Sequence, residues 1–246
     1  MYHLLKAMHF RQYCQKKSKP PFNVLAAILK LSTKYIVDEL REEVINTLSA
    51  IFSSRLTAWI DHSVRYTPAD LDAMYSVELA KKFEVPIILP AAYYQAVSQL
   101  SIRTMMRPDS SMASNSIRWT CAVFREELMS MIYQLIDENN KGATIFSTRD
   151  KYNNWLCEAD ECYSLLDSYK CGTETKLRRL TCSDVFKPTL GLATDPDFCE
   201  AFRLRVDQHW RRLQDNSWNR LPSLCGFKDW AVVRTAQAAL KSSNEQ

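Results

Sequence analysis

Eight cysteines and four histidines are the side chains of this sequence best suited to metal binding or nucleophilic catalysis. Thiolate sulfur and imidazole nitrogen are the usual ligands of zinc, and a cysteine beside a histidine can act as a nucleophile. The histidines are His3, His9, His62 and His209, and none stands in a recognised catalytic motif. We therefore predict that the chain is not an enzyme and has no catalytic residues and no cofactor.

Paired acidic residues and a run of arginines are better explained as helix surface than as active sites. The acidic pairs are Glu42/Glu43, Glu126/Glu127 and Asp160/Glu161, each on the polar side of a predicted helix. The arginines are Arg203, Arg205, Arg211, Arg212 and Arg220. Because Asp207 and Asp215 are interspersed among them, we predict an ion-paired helix face instead of a nucleic-acid contact.

The elements that carry these residues are amphipathic helices, and residues 22–52 show the pattern most clearly. Two helices are predicted there, joined by a turn around Ser32–Lys34. In the second helix, apolar residues recur every three or four positions and form one stripe: Val37, Leu40, Val44, Leu48 and Ile51. The opposite face is polar: Asp38, Glu39, Arg41, Glu42, Glu43 and Asn46. The stripe predicts that the second helix packs against the first.

Capping signatures predict where the later helices begin. Three of them place proline or an acidic residue behind a serine or threonine: Thr67–Asp70, Ser147–Asp150 and Thr194–Asp197. Asp229 is predicted to cap a short terminal helix. The helices carry apolar stripes of their own, such as Phe124, Leu128, Met131 and Leu135, and Cys199, Phe202, Val206, Trp210 and Leu213.

Glycine content supports an all-α fold. The chain has four glycines in 246 residues, where average usage would give about seventeen. This scarcity argues against turn-rich β architecture and excludes glycine-rich phosphate loops. Residues 107–116 are polar, small and aperiodic, so we predict a linker at 107–118 before a C-terminal helical domain at 119–246.

Charge and hydropathy limit the classes of partner. The net charge is +4, and residues 1–20 carry five basic and no acidic side chains, which leaves −1 for the remainder. Without a recognisable nucleic-acid-binding motif, this basic segment makes nucleic-acid contact the minority interpretation. No apolar run reaches the roughly 18 residues of a membrane span, and no signal peptide is recognisable. We expect a chain in the cytoplasm or nucleus, with its cysteines as thiols or metal ligands and not as disulfides.

Several blocks of sequence carry a family resemblance. The first are LLKAM at residues 4–8, AILKLSTKY at 27–35 and Leu40–Arg41. Further along stand ELAKKFEVPIILPAAYYQ at 78–95, and then Trp218, Leu221–Pro222 and Phe227–Trp230. Together they resemble the back half of a fungal, basidiomycete-type BTB/POZ-domain protein. The resemblance implies a helical BTB remnant at 1–60 and a helical extension at 61–106.

The resemblance also implies a function. It indicates a non-catalytic scaffold or adaptor whose partners are other proteins, with DNA- or chromatin-associated regulation and a structural zinc-binding module as alternatives. The leading strands and first helices of a BTB domain, which carry its dimer interface, have no counterpart here. We expect their absence to reflect truncation or divergence, so dimerisation does not follow from the resemblance. The sequence singles out no partner-binding residues.

Zinc candidates come from the same resemblance. Family members often carry a spaced cysteine pair after a tryptophan and a later C-x-x-C, which together could hold zinc. Here Trp155 precedes Cys157 and Cys162, while Cys199 fills the first position of the later pair and Phe202 the second. The fourth ligand is left open among Cys171, Cys182 and His209. Five residues of one helix turn through about 140°, so Cys157 and Cys162 share a metal only if the helix begins or breaks between them. We predict no metal site.

Overall fold

The computed structural model describes residues 20–63, 72–142, 185–186 and 200–244. All regular structure in these ranges is helical, which confirms the all-α prediction. The α-helices are α1 (Phe22–Lys34), α2 (Asp38–Ile51), α3 (Leu56–Ser63), α4 (Ala73–Lys82), α5 (Leu89–Gln99), α6 (Ile102–Met105), α7 (Asn115–Gly142), α8 (Glu200–Arg220) and α9 (Trp230–Asn244). Short 3₁₀ helices span Pro86–Ile88, Pro108–Ser110 and Leu221–Cys225.

The chain forms two compact units. The first contains residues 1–125 and 221–246, and the second contains residues 126–220. The chain leaves the first unit after Arg125 and re-enters it at Leu221, so the predicted linker at 107–118 lies inside the first unit. The division of the N-terminal half into a BTB part at 1–60 and an extension at 61–106 stays a prediction.

The core of the first unit is built from two helix pairs, α1 with α2 and α4 with α5. The predicted apolar stripe of α2 is confirmed for its four helical members, Leu40, Val44, Leu48 and Ile51, which are all buried. They pack with buried α1 side chains such as Leu25 and Leu29. Arg41 departs from the prediction, because it is buried although we expected it on the polar face.

The structure shifts one predicted boundary and confirms one predicted cap. The turn between α1 and α2 falls at residues 35–37, three residues later than expected. Helix α4 begins at Ala73, and its cap is Asp72, whose Oδ1 accepts a hydrogen bond from the Tyr75 amide at 2.9 Å. The predicted capping signature at Thr67–Asp70 lies outside the described residues. The Asp229 cap is confirmed, since its Oδ1 accepts from the Val232 amide at 2.9 Å.

The described part of the second unit consists of the C-terminal half of α7, residues 185–186 and α8. Its buried side chains include the predicted α7 residues Leu128, Met131 and Leu135 and the α8 residues Trp210 and Leu213. The Phe186 ring packs edge-on against Trp218 with centroids 5.1 Å apart. Gln214 Nε2 donates to the Val185 carbonyl at 3.0 Å. The capping signatures at 147–150 and 194–197 lie outside the described residues.

Candidate functional site

The zinc candidates Cys157, Cys162 and Cys199 lie outside the described residues, as do Cys171 and Cys182. The prediction about them therefore stays a prediction. Across the ranges that the structure describes, no three histidine, cysteine, aspartate or glutamate side chains are grouped so that they could hold a metal ion. In the same ranges no helix has the length and apolar character needed to cross a membrane.

Cys121 is a buried thiol in the first unit, close to the Tyr93 hydroxyl. Burial raises the pKa of Cys121 to about 12, although the Lys81 ammonium partly opposes the shift. Burial also raises the pKa of Tyr93, with smaller contributions from Cys121 and Cys225. The Tyr93 ring stacks on Phe124 at 4.6 Å between centroids. Because the thiolate is the reactive form of cysteine, Cys121 is a packing residue at neutral pH.

The predicted surface residues of the described helices are mostly where we expected them. Glu42, Glu126 and Glu127 are exposed, which confirms the prediction for these three side chains. Glu43 is half-buried, and its Oε1 has no hydrogen-bond partner among the described residues. On α8, the Arg211 guanidinium pairs with the Asp207 carboxylate at 2.9 Å, as predicted for an ion-paired face. Asp160 and Glu161 lie outside the described residues.

Helices α1 and α4 of the first unit end in the same unusual way. Residues at both helix ends line one surface cleft. After α1, the Val37 amide donates to the Ser32 carbonyl, and after α4 the Val85 amide donates to the Ala80 carbonyl, both at 2.9 Å. This six-residue closure requires a left-handed residue, for which glycine is preferred. The positions hold Ile36 at φ 55° and Glu84 at φ 52°. Left-handed backbone costs a residue with a Cβ roughly 1–2 kcal/mol.

A third helix end has glycine, the preferred residue, at the left-handed position. The Phe227 amide donates to the Pro222 carbonyl at 3.0 Å, and the left-handed residue between them is Gly226 at φ 83°. The chain therefore uses glycine at one such turn and larger side chains at the two turns that border the cleft. Ile36 is 78% exposed, so its position is not explained by burial in the core. Backbone strain of this kind is often found at functional sites.

Arg41 is one of the residues that line this cleft. Its side chain comes from the first turn of α2 and is only 8% exposed. Nη2 donates to the carbonyl of Phe83 at 2.8 Å and more weakly to that of Glu84 at 3.5 Å, at the C-terminal end of α4. A cation at this end of a helix interacts favourably with the helix dipole. These contacts fix the guanidinium in position.

We call this concavity the Arg41 cleft. Its volume is about 390 Å³, and it is lined by Thr33, Ile36, Asp38, Arg41, Lys82, Phe83, Glu84 and Leu240. Two formal positive and two formal negative charges therefore face one another beside three large apolar side chains. Sequence reasoning missed the cleft, because its charged residues come from two segments that are more than 40 residues apart in the sequence and form no linear motif.

A second candidate is an exposed apolar surface on α7, formed by Trp119 and Val123. Trp119 is 66% exposed and Val123 is 54% exposed. Residues four apart on a helix are neighbours, so the two side chains form one patch. The other tryptophans with described side chains, Trp59, Trp210, Trp218 and Trp230, are all buried. Trp119 therefore differs from every other tryptophan whose side chain the structure describes.

Comparison with known proteins gives no relative: no family model, no curated protein and no solved structure matches this chain.

Proposed function

We propose that this chain is a non-catalytic protein–protein interaction module of the scaffold or adaptor type, as the BTB resemblance led us to expect. The observation that carries the proposal is the Trp119/Val123 patch on α7. Exposed single apolar residues are common on protein surfaces, but a tryptophan exposed over two thirds of its surface is a costly exception. A partner that covers the patch would remove this cost.

The apolar surface of the patch is large enough to contribute substantially to binding a partner. Large aromatic side chains bury roughly 150–250 Å² each, so covering the exposed parts of both residues removes about 200 Å² of apolar surface from water. At about 25 cal/mol per Å², the gross gain is on the order of 5 kcal/mol before the costs of association. Tryptophan is among the residues most enriched at the energetic centres of interfaces.

The test is quantitative capture from the cells that make the protein. The bait is the full chain, compared with a variant carrying Trp119→Ser and Val123→Ser. The matched control carries Leu204→Ser and Val232→Ser, which remove two other exposed apolar side chains, on α8 and α9. We expect the patch variant to lose at least one protein that wild type captures, by about tenfold or more, while the control retains it.

Two further readouts make the result interpretable. Thermal unfolding of all three proteins establishes that the substitutions leave the fold intact, since all four side chains are exposed. Sedimentation at several concentrations establishes whether the captured partner is a second copy of the chain. The proposal fails if the captured proteins are the same for wild type, patch variant and control.

A further inference from the structure

We propose that the Arg41 cleft is a binding site for a carboxylate carried on an aliphatic body, either a free small acid or the C-terminus of a peptide. The inference concerns a different surface from the Trp119/Val123 patch and does not depend on the proposed function. It is carried by the state of the Arg41 guanidinium, the balance of charges around it, and the apolar side chains beside it.

The guanidinium is oriented but retains donors for a ligand. Arginine has five N–H donors, and within the described residues both hydrogen bonds of Arg41 come from Nη2. Both acceptors are backbone carbonyls, so this nine-tenths buried cation forms no hydrogen bond to a carboxylate of the described residues. Nε and Nη1 remain for an acceptor in the cleft that Arg41 lines. Arginine held in this way favours planar carboxylates, which accept two parallel hydrogen bonds.

The charges around Arg41 balance one another, so they give no preference for a doubly charged anion. Lys82 adds a second cation at the cleft, while Asp38 and Glu84 add two carboxylates. A phosphate monoester carries up to two negative charges and would be repelled by both carboxylates. Its second charge doubles the attraction of Arg41 and Lys82 as well, so the two effects offset each other. The geometry of the remaining Arg41 donors, which suits a planar carboxylate, therefore decides the expected ligand.

The rest of the lining selects an apolar body. Ile36, Phe83 and Leu240 line the cleft, and the Ile36 side chain is 78% exposed. The volume of about 390 Å³ lies within the range of roughly 300–1,000 Å³ that is usual for small-ligand sites. We expect a branched aliphatic group of the size of leucine to pack against these side chains when its carboxylate binds Arg41.

The first experiment titrates the ¹⁵N-labelled full chain with N-acetyl-leucine and with N-acetyl-leucinamide. The two probes have the same shape, but only the acid has a carboxylate. A second pair of probes is a pentapeptide ending in leucine with a free or an amidated C-terminus. We expect saturable shifts of the Ile36, Asp38 and Glu84 amides with an acid, and at least tenfold weaker binding of its amide.

The two pairs separate the two sources of carboxylate. Binding of N-acetyl-leucine identifies a site for a small acid. If only the pentapeptide with a free C-terminus binds, the site recognises a peptide C-terminus. The proposal is overturned if neither acid binds, or if each acid and its amide bind equally. Neither result bears on capture by the Trp119/Val123 patch, so the two proposals fail separately.

Variants then test whether the acids bind in the Arg41 cleft. We expect Lys82→Met to weaken binding about threefold and Asp38→Asn to strengthen it by a similar factor, as single partly exposed charges do. Lys30→Met removes an exposed lysine of α1 outside the cleft and is expected to leave binding unchanged. A merely structural role of Asp38 would not produce stronger binding, so weaker binding by Asp38→Asn would overturn the proposal.

The variant Ile36→Gly distinguishes a loss of binding from a loss of stability. Glycine suits the left-handed position, so this variant should be at least as thermally stable as wild type. We nevertheless expect it to bind the acid several-fold more weakly, because the apolar contact is removed. Wild-type affinity in Ile36→Gly would overturn the apolar part of the proposal.

Discussion

Burial decides the chemistry of individual residues in this chain more than residue type does. Cys121 and Arg41 are both reactive or charged side chains, yet one is a protonated packing residue and the other is a fixed cation that caps a helix end. The difference lies in what surrounds each group. Apolar burial disfavours the thiolate, whereas carbonyl dipoles stabilise the guanidinium.

The raised pKa of Cys121 predicts a loss of stability at alkaline pH. Below pH 9 the thiol is protonated in both the folded and the unfolded chain. Above pH 9 the unfolded chain releases the proton, but the folded chain keeps it until about pH 12. Stability therefore falls across this window, by roughly 3 kcal/mol at pH 11 at about 1.4 kcal/mol per pH unit.

Urea denaturation at pH 8 and pH 11 checks this prediction. Cys121→Ala should be less stable than wild type at pH 8, because it leaves a small cavity, and the gap should shrink or reverse at pH 11. The half-buried Cys225 provides the control, and Cys225→Ala should keep the alkaline loss of wild type. An equal gap at both pH values for Cys121→Ala would contradict the assignment.

At the residue scale, periodicity predicted the buried apolar side chains but not the buried polar ones. Leu40, Val44 and Leu48 follow from the 3.6-residue period, and all three are buried. Arg41 lies next to this stripe and was expected in solvent. Its burial depends on carbonyls 42 and 43 residues away, which no local pattern contains.

At the scale of elements, the segment before α7 is the largest difference from expectation. We predicted a linker there because residues 107–116 are polar, small and aperiodic. In the structure this segment wraps around the guanidinium of Arg118, which is 3% exposed. Arg118 donates to five carbonyl oxygens, those of Met105, Arg107, Pro108, Ser111 and Ala113.

Asp72 also binds the segment before α7. Besides capping α4, its carboxylate accepts hydrogen bonds from Ser111 Oγ at 2.5 Å and from the Met112 amide at 2.8 Å. A segment without apolar periodicity is thus ordered by two charged side chains that pair with its backbone. Polar composition indicated that the segment has no apolar stripe, but it could not reveal these contacts.

Arg118→Met is expected to destabilise the protein by about 3 kcal/mol or more, because several buried carbonyls lose a charged donor. The measurement is urea denaturation at neutral pH, together with hydrogen exchange of the Met112 amide, which should accelerate. Arg103→Met is the matched control, since Arg103 is exposed on α6, and its effect should stay within about 0.5 kcal/mol. A similar small effect for Arg118→Met would show that the segment is ordered by other contacts.

At the scale of the whole molecule, the sequence predicted the fold class but not the division of the chain. Low glycine content and repeated amphipathic stripes led to an all-α fold, and the described residues agree. The first unit combines residues 1–125 with 221–246. A unit closed by a returning C-terminal segment depends on long-range packing, which a search for polar linkers cannot detect. The resemblance to BTB proteins stays a prediction.

Charge distribution provides the whole-molecule test between protein and DNA partners. The basic side chains of residues 1–20 number five, and the rest of the chain has a net charge of −1. Five cations can neutralise at most five phosphates, so log K should change with log salt no more steeply than about −4.5. We expect binding of a 20-base-pair duplex to be no tighter than the roughly 1–100 µM of non-specific complexes at physiological salt.

Fluorescence anisotropy of the labelled duplex between 50 and 200 mM salt checks this expectation. The comparison protein carries Lys16→Glu and Lys17→Glu, which change the charge of the basic segment from +5 to +1 and should abolish the residual binding. Nanomolar affinity at 150 mM salt, retained in this variant, would require a basic surface elsewhere in the fold. That result would favour the DNA-associated alternative over a protein-binding scaffold, because non-specific attraction to a short basic segment cannot produce it.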